Sequence, residues 1–86
     1  MKLSDVDLNL FVVLDAIYTE GNLTRAGEII GITQPAVSNS LSRLRTLFDD
    51  PLFVRTSEGM TPTPVAQNII GSVRQSLELM RSSIQE

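Results

Sequence analysis

Apolar residues recur at three- and four-residue steps in four stretches of this chain, with one short strand-like run between the third and fourth. Steps of three and four keep side chains on one face of a helix, whereas alternation by two belongs to a strand. The first stretch predicts a helix from about Asp5 to Thr19, with Ser4 and Asp7 as a capping pair and Gly21 at its exit. Its apolar residues form two stripes, Leu3, Val6, Leu10, Val13 and Ile17 in one and Phe11, Leu14 and Tyr18 in the other. Two stripes suit either a helix buried widely in a three-helix core or a helix that keeps one face for another subunit.

A second helix is expected from Leu23 to Ile30, capped by Asn22. Gly27 inside it costs about 1 kcal/mol against alanine, which implies that the third helix crosses close by. Gly31 suits the left-handed end of that helix, and Ile32 is expected as an apolar plug in the corner. Thr33 then caps a third helix over about residues 34–48, with Gln34 and Pro35 in its first turn. Val37, Leu41 and Leu44 supply its buried face; Gln34, Ser38, Asn39, Ser42 and Arg43 occupy the other. Two short helices meeting at a tight corner over Asn22–Leu44 have the spacing of a helix-turn-helix. The polar face carries hydrogen-bonding groups suited to base-pair edges, Gln34 above all, since its amide matches adenine N6 and N7. Thr24 and Arg25 open the second helix, where exposed N–H groups can hold a phosphate.

Asp49-Asp50-Pro51 ends the third helix, and Leu52 to Thr56 reads as a strand. Ser57-Glu58-Gly59 supplies a turn and Met60-Thr61 a return strand, together a wing anchored by Leu52 and Phe53, with Arg55 near its tip. Arg45 stands four residues before Asp49, the spacing of a surface ion pair. Thr63-Pro64 starts a last helix, and Ala66, Ile70, Val73, Leu77, Met80 and Ile84 then repeat as a heptad seam. Such a seam either folds back on its own domain or pairs with a second copy, and its strict alternation favours pairing.

Composition narrows the chemistry. Eighty-six residues fit one small domain, and the absence of cysteine and histidine removes disulfides, thiolate metal sites and the usual general base. An enzyme is not expected, nor a metal or cofactor: the one adjacent carboxylate pair, Asp49-Asp50, is better explained by a turn. No apolar run reaches bilayer length, and two acids precede the apolar residues of the N-terminus, so a cytoplasmic protein is expected. A net charge of −3 argues against nucleic-acid binding, but Arg25, Arg43, Arg45 and Arg55 lie within or just after the helix-turn-helix. A competing reading, a protein-interaction module, is disfavoured because the Gln34–Arg43 face is neither apolar nor aromatic.

The segments DLNLFVVLDAI, NLTRAGEIIGITQPAVSNSLSRLR and DDPLFVRTSEGMTPTP resemble the N-terminal domain of LysR-type transcriptional regulators, in the wording of the NodD and LeuO branch. The resemblance covers essentially the whole chain. It implies a mainly α fold: a winged helix-turn-helix over residues 1–62, then a linker helix over 63–86 that dimerises. It further implies double-stranded DNA as partner, read at an interrupted inverted repeat. Gln34, Pro35 and Ser38 match the family's major-groove contacts and Arg55 its minor-groove arginine, while Asn39 replaces an arginine common elsewhere. Leu23, Thr24, Arg25, Thr33, Asn39, Ser42 and Arg43 complete the expected DNA-binding set. A small-molecule effector is expected to act only through a further domain, which could also build a tetramer.

Overall fold

Asn22, Thr33 and Thr63 each accept a hydrogen bond from a backbone N–H three residues on, at 2.9, 3.3 and 3.2 Å. These caps satisfy donors that the first turn of a helix leaves unpaired, and they set where three of the helices begin. In the computed structural model, which describes Met1 to Gln85, a 3₁₀ turn (Leu3–Asp5) precedes α1 (Asn9–Glu20), α2 (Leu23–Ile30) and α3 (Gln34–Phe48). A hairpin of β1 (Phe53–Thr56) and β2 (Gly59–Pro62) follows, then α4 (Pro64–Ile84).

The first helix departs from expectation at its start. It begins at Asn9, not near Asp5, and the Ser4–Asp7 capping pair does not form. Val6 is extended, and the Asp7 carboxylate accepts from the Asn9 N–H at 3.0 Å. An acid two residues before an N–H makes this local turn in competition with a continuing helix. Leu3 therefore falls outside the core, while Leu10, Val13, Leu14, Ala16 and Ile17 form the buried face of α1. Phe11 and Tyr18 are half-buried in edge-to-face contact with Phe48 and Phe53, at 6.4 and 6.2 Å between ring centroids.

The corner of the helix-turn-helix is closed by backbone. Gly31 takes the left-handed conformation at φ +79°, and the Ile32 N–H donates to the Gly27 carbonyl at 2.9 Å. A Cβ on Gly27 would stand 2.6 Å from the Ile32 oxygen and 3.2 Å from Val37 Cγ2. The glycine thus admits the turn as well as the third helix. That approach leaves no interior space for a plug, and Ile32 stays exposed, contrary to expectation.

The wing is a two-residue hairpin in which Thr56 pairs with Gly59 and Phe53 with Pro62. Leu52 is not part of the strand; it lies just before it in a left-handed conformation at φ +62°, fully buried beside Phe53. Gly59, at φ +108°, lets the hairpin touch the α1–α2 corner. A Cβ there would lie 2.5 Å from the Gly21 oxygen, which accepts from the Met60 N–H at 2.9 Å.

Helix α4 returns along α1, and its seam divides. Ala66 and Val73, expected at a dimer seam, are buried in the chain's own core. Their turns of α4 are held against α1 by Arg74. Its guanidinium bonds Asp15 at 2.7 Å and Thr19 at 2.9 Å and lies 5.0 Å over the Tyr18 ring. The turns of α4 that carry Ala66 and Val73 consequently share one core with the winged body. Ile70 and Leu77 are half-buried, and Met80 and Ile84 are exposed.

Candidate nucleic-acid interface

Helix α3 separates its two faces cleanly. Val37, Leu41 and Leu44 are buried, while Thr33, Gln34, Pro35, Asn39, Ser42 and Arg43 are exposed and Ser38 half-buried. Gln34 and Ser38 stand one turn apart, and the Gln34 amide nitrogen donates to the Ser38 hydroxyl at 2.9 Å. That bond restrains the glutamine and leaves its carbonyl oxygen and second N–H available. A pre-oriented amide loses less freedom on pairing with a base edge. No acid occurs anywhere in α3, so apart from Pro35 its exposed face is built of polar and basic groups.

The arginines around this face have different employments. Arg25, at the start of α2, pairs with Glu20 at 3.3 Å. Arg43 pairs with Asp7 at 3.3 Å. The Asn9 N–H above all, against an opposing desolvation and helped by the Arg43 guanidinium, holds the Asp7 carboxyl below the usual carboxylate range. Both arginines remain more than half exposed, so a phosphate can compete for them. Arg45 does not pair with Asp49. Its guanidinium turns to the backbone and bonds the carbonyls of Pro51 at 2.8 Å and Phe53 at 2.9 Å. Asp49 instead ends α3 in a left-handed conformation at φ +51°.

Arg55 is exposed and, among the described residues, has no carboxylate partner. It lies opposite Met60 in the hairpin, within the strand and not at the turn of Ser57 and Glu58. Leu23, Ser38, Leu41, Arg45, Arg55 and Met60 line a cleft of about 240 Å³ between α3 and the wing. The structure thus brings Ser38, Leu23 and Arg55 to one cleft and places Gln34, Pro35, Asn39 and Ser42 along the adjoining helix face. Thr24 and Arg25 are exposed at the α2 N-terminus.

The sequence marks Asp50 as a turn residue but not as the partner of Thr63. Its Oδ2 accepts from the Leu52 N–H at 2.8 Å and from the Thr63 hydroxyl at 2.7 Å. The Thr63 N–H in turn donates to the Leu52 carbonyl at 2.8 Å. An aspartate two residues before an apolar position could have signalled the first bond. Nothing local signals the second, which spans thirteen residues.

Fold and surface together define a winged helix-turn-helix domain with an exposed polar face on its third helix. The chain belongs to the bacterial regulatory helix-turn-helix proteins of the lysR family, whose model matches residues 8–67. It is 48% identical over 83 residues to the HTH-type transcriptional regulator LeuO of Escherichia coli K12, covering 96% of this chain and 26% of LeuO. It is 46% identical over 85 residues to the transcriptional activator NahR of Pseudomonas putida, covering 99% of this chain and 28% of NahR. The chain therefore spans about a quarter of the length of these relatives, which are regulators of transcription and not enzymes. Among solved structures, a probable transcriptional regulator of Pseudomonas aeruginosa, PA0477, superposes with a TM-score of 0.91 at 35% identity, over 95% of this chain and 28% of that one. The DNA-binding domain of CbnR, solved with DNA, has the same fold at a TM-score of 0.82 and 20% identity, over 93% of this chain and 92% of that one. No helix among the described residues is long and apolar enough to cross a membrane.

Proposed function

We propose that this chain binds double-stranded DNA sequence-selectively as a homodimer and so regulates transcription. In this reading α3 enters the major groove, Gln34, Pro35 and Ser38 meet base edges, and Arg55 enters the adjoining minor groove. Asn39, Ser42, Arg43, Thr33, Leu23, Thr24 and Arg25 border the backbone on either side. The observation that carries it is the acid-free, exposed polar face of α3 lying beside an arginine without a carboxylate partner. A narrow A·T-rich minor groove attracts such an arginine, whereas an assembly surface would be apolar there. The DNA present in the solved CbnR domain complex supports the same partner.

The face proposed for a second copy lies along α1 and α4. Leu3, Leu8, Leu79 and Met80 are exposed and, with Phe11, Val73 and Leu77, border an apolar groove of about 430 Å³ between α1 and α4. Ile84 extends this face to the end of α4. An isologous dimer buries the same patch from both subunits and sets two α3 helices at a fixed separation. Effector recognition and any tetramer belong, in this reading, to the part of such regulators that the chain does not span.

The test is a binding titration across a salt series, comparing a duplex selected from a random pool with an unrelated one. Selective binding should exceed non-selective binding by about a thousandfold or more, with affinity falling as salt rises. Equal affinity for both duplexes at low salt would rule the reading out.

A further inference from the structure

One side chain of α3 reaches across to the base of the wing. Arg45 leaves α3 and donates from Nε to the Pro51 carbonyl and from Nη2 to the Phe53 carbonyl, at 2.8 and 2.9 Å. Pro51 and Phe53 flank Leu52, a buried leucine just before the strand held at φ +62°, where its Cβ makes the backbone strained. The same strap is fixed on its far side by Asp50 and Thr63 at the start of α4. Arg55 stands two residues beyond Phe53 on the same strand and lines the same cleft as Arg45.

We infer that Arg45 is a positioning residue, which sets the distance between the α3 reading face and the Arg55 side chain by clamping the strap at the base of the wing. This role rests on the DNA-binding reading above. A planar fork holding two carbonyls two residues apart fixes both their separation and their orientation. A lysine keeps the charge but has no such fork. The role is separate from a phosphate contact, for which the charge alone would serve.

Three variants separate these cases: Arg45→Lys, Arg45→Gln and Arg55→Ala. Each is titrated on the selected duplex and on a copy in which the A·T pairs under the wing are replaced by G·C, placing guanine amino groups in the minor groove. Arg45→Lys and Arg45→Gln should both lose about tenfold in discrimination between these duplexes, as Arg55→Ala does. Neither should alter discrimination at the base pairs under Gln34, and neither should add to the loss in an Arg55→Ala background. Amide hydrogen exchange of the free protein provides the DNA-independent measurement. Wing amides such as Met60 should exchange faster in Arg45→Lys while those of α3 hold their protection.

Rescue by lysine, or a loss equal on both duplexes that persists in the Arg55→Ala background, assigns Arg45 to a phosphate and overturns the positioning role. Unchanged wing exchange overturns it as well. If the unmodified chain binds no duplex selectively, the DNA reading fails first and takes this role with it. Selective binding by the unmodified chain with unchanged wing discrimination in both Arg45 variants removes only the role of Arg45.

Discussion

At the scale of the residue, Gln34 and Gly27 show opposite uses of a position on a helix. Gln34 is exposed, restrained by Ser38 and spends no surface on the fold. Gln34→Ala should leave thermal stability within about 0.5 kcal/mol while costing about 1–3 kcal/mol on the selected duplex, and little on an unrelated one. Parallel losses on both duplexes, measured by titration, would show that it reads no base. Gly27 lies inside the corner, where an added Cβ would stand 2.6 Å from the Ile32 carbonyl oxygen. Gly27→Ala gains helix propensity but forces a Cβ against backbone that cannot rotate away. A net destabilisation of about 1–3 kcal/mol in chemical denaturation is expected. Asp7 supplies a pH dependence. Its carboxyl is held below the ordinary range by the Asn9 N–H and Arg43, so its contribution is complete above the unfolded value. It is lost as pH falls through the lower folded value. Melting temperatures of the wild type and Asp7→Asn should therefore differ by a constant amount above the usual carboxylate range and converge below it.

At the scale of the element, α4 serves two surfaces in turn. Its early seam residues Ala66 and Val73 close the core against α1, and its late residues Leu79, Met80 and Ile84 remain exposed. The heptad repeat cannot distinguish these uses, because an intramolecular partner and a second copy both call for apolar residues at the same spacing. Substituting aspartate tells them apart. Val73→Asp places an unpaired charge in the core and should unfold the domain, whereas Ile84→Asp should leave the circular-dichroism melt unchanged and shift sedimentation toward the monomer. A melt lowered equally by both would mean that the late turns are held by the chain's own body. The wing raises the same issue of partners. Its strands and turn were legible from residues 52–61, since a short apolar run and its flanking turn residues are local. Its seat on the Gly21 carbonyl and its strap through Arg45, Asp50 and Thr63 were not, because each bond joins separate elements.

At the scale of the whole molecule, the proposed dimer makes the distance between its two α3 helices the quantity the fold would control. Arg74 holds α4 against α1 through Asp15, Thr19 and Tyr18, so a dimer built on the exposed apolar face inherits a fixed angle. Inserting about five base pairs, half a helical turn, between the half-sites of the selected duplex should turn one half-site away and weaken binding at least about tenfold. Undiminished affinity in a gel-shift titration would mean that one subunit suffices. The sequence by itself determined the four helices, the corner, the hairpin and the polar face of α3. Those features follow from periodicity, caps and turn residues, which act within a few positions of one another. Tertiary structure alone decided which arginines are already employed, that Ile32 stays outside, where α1 starts, and how the seam of α4 is shared. Each of these depends on which distant groups compete for the same side chain, and local patterning carries no record of that competition.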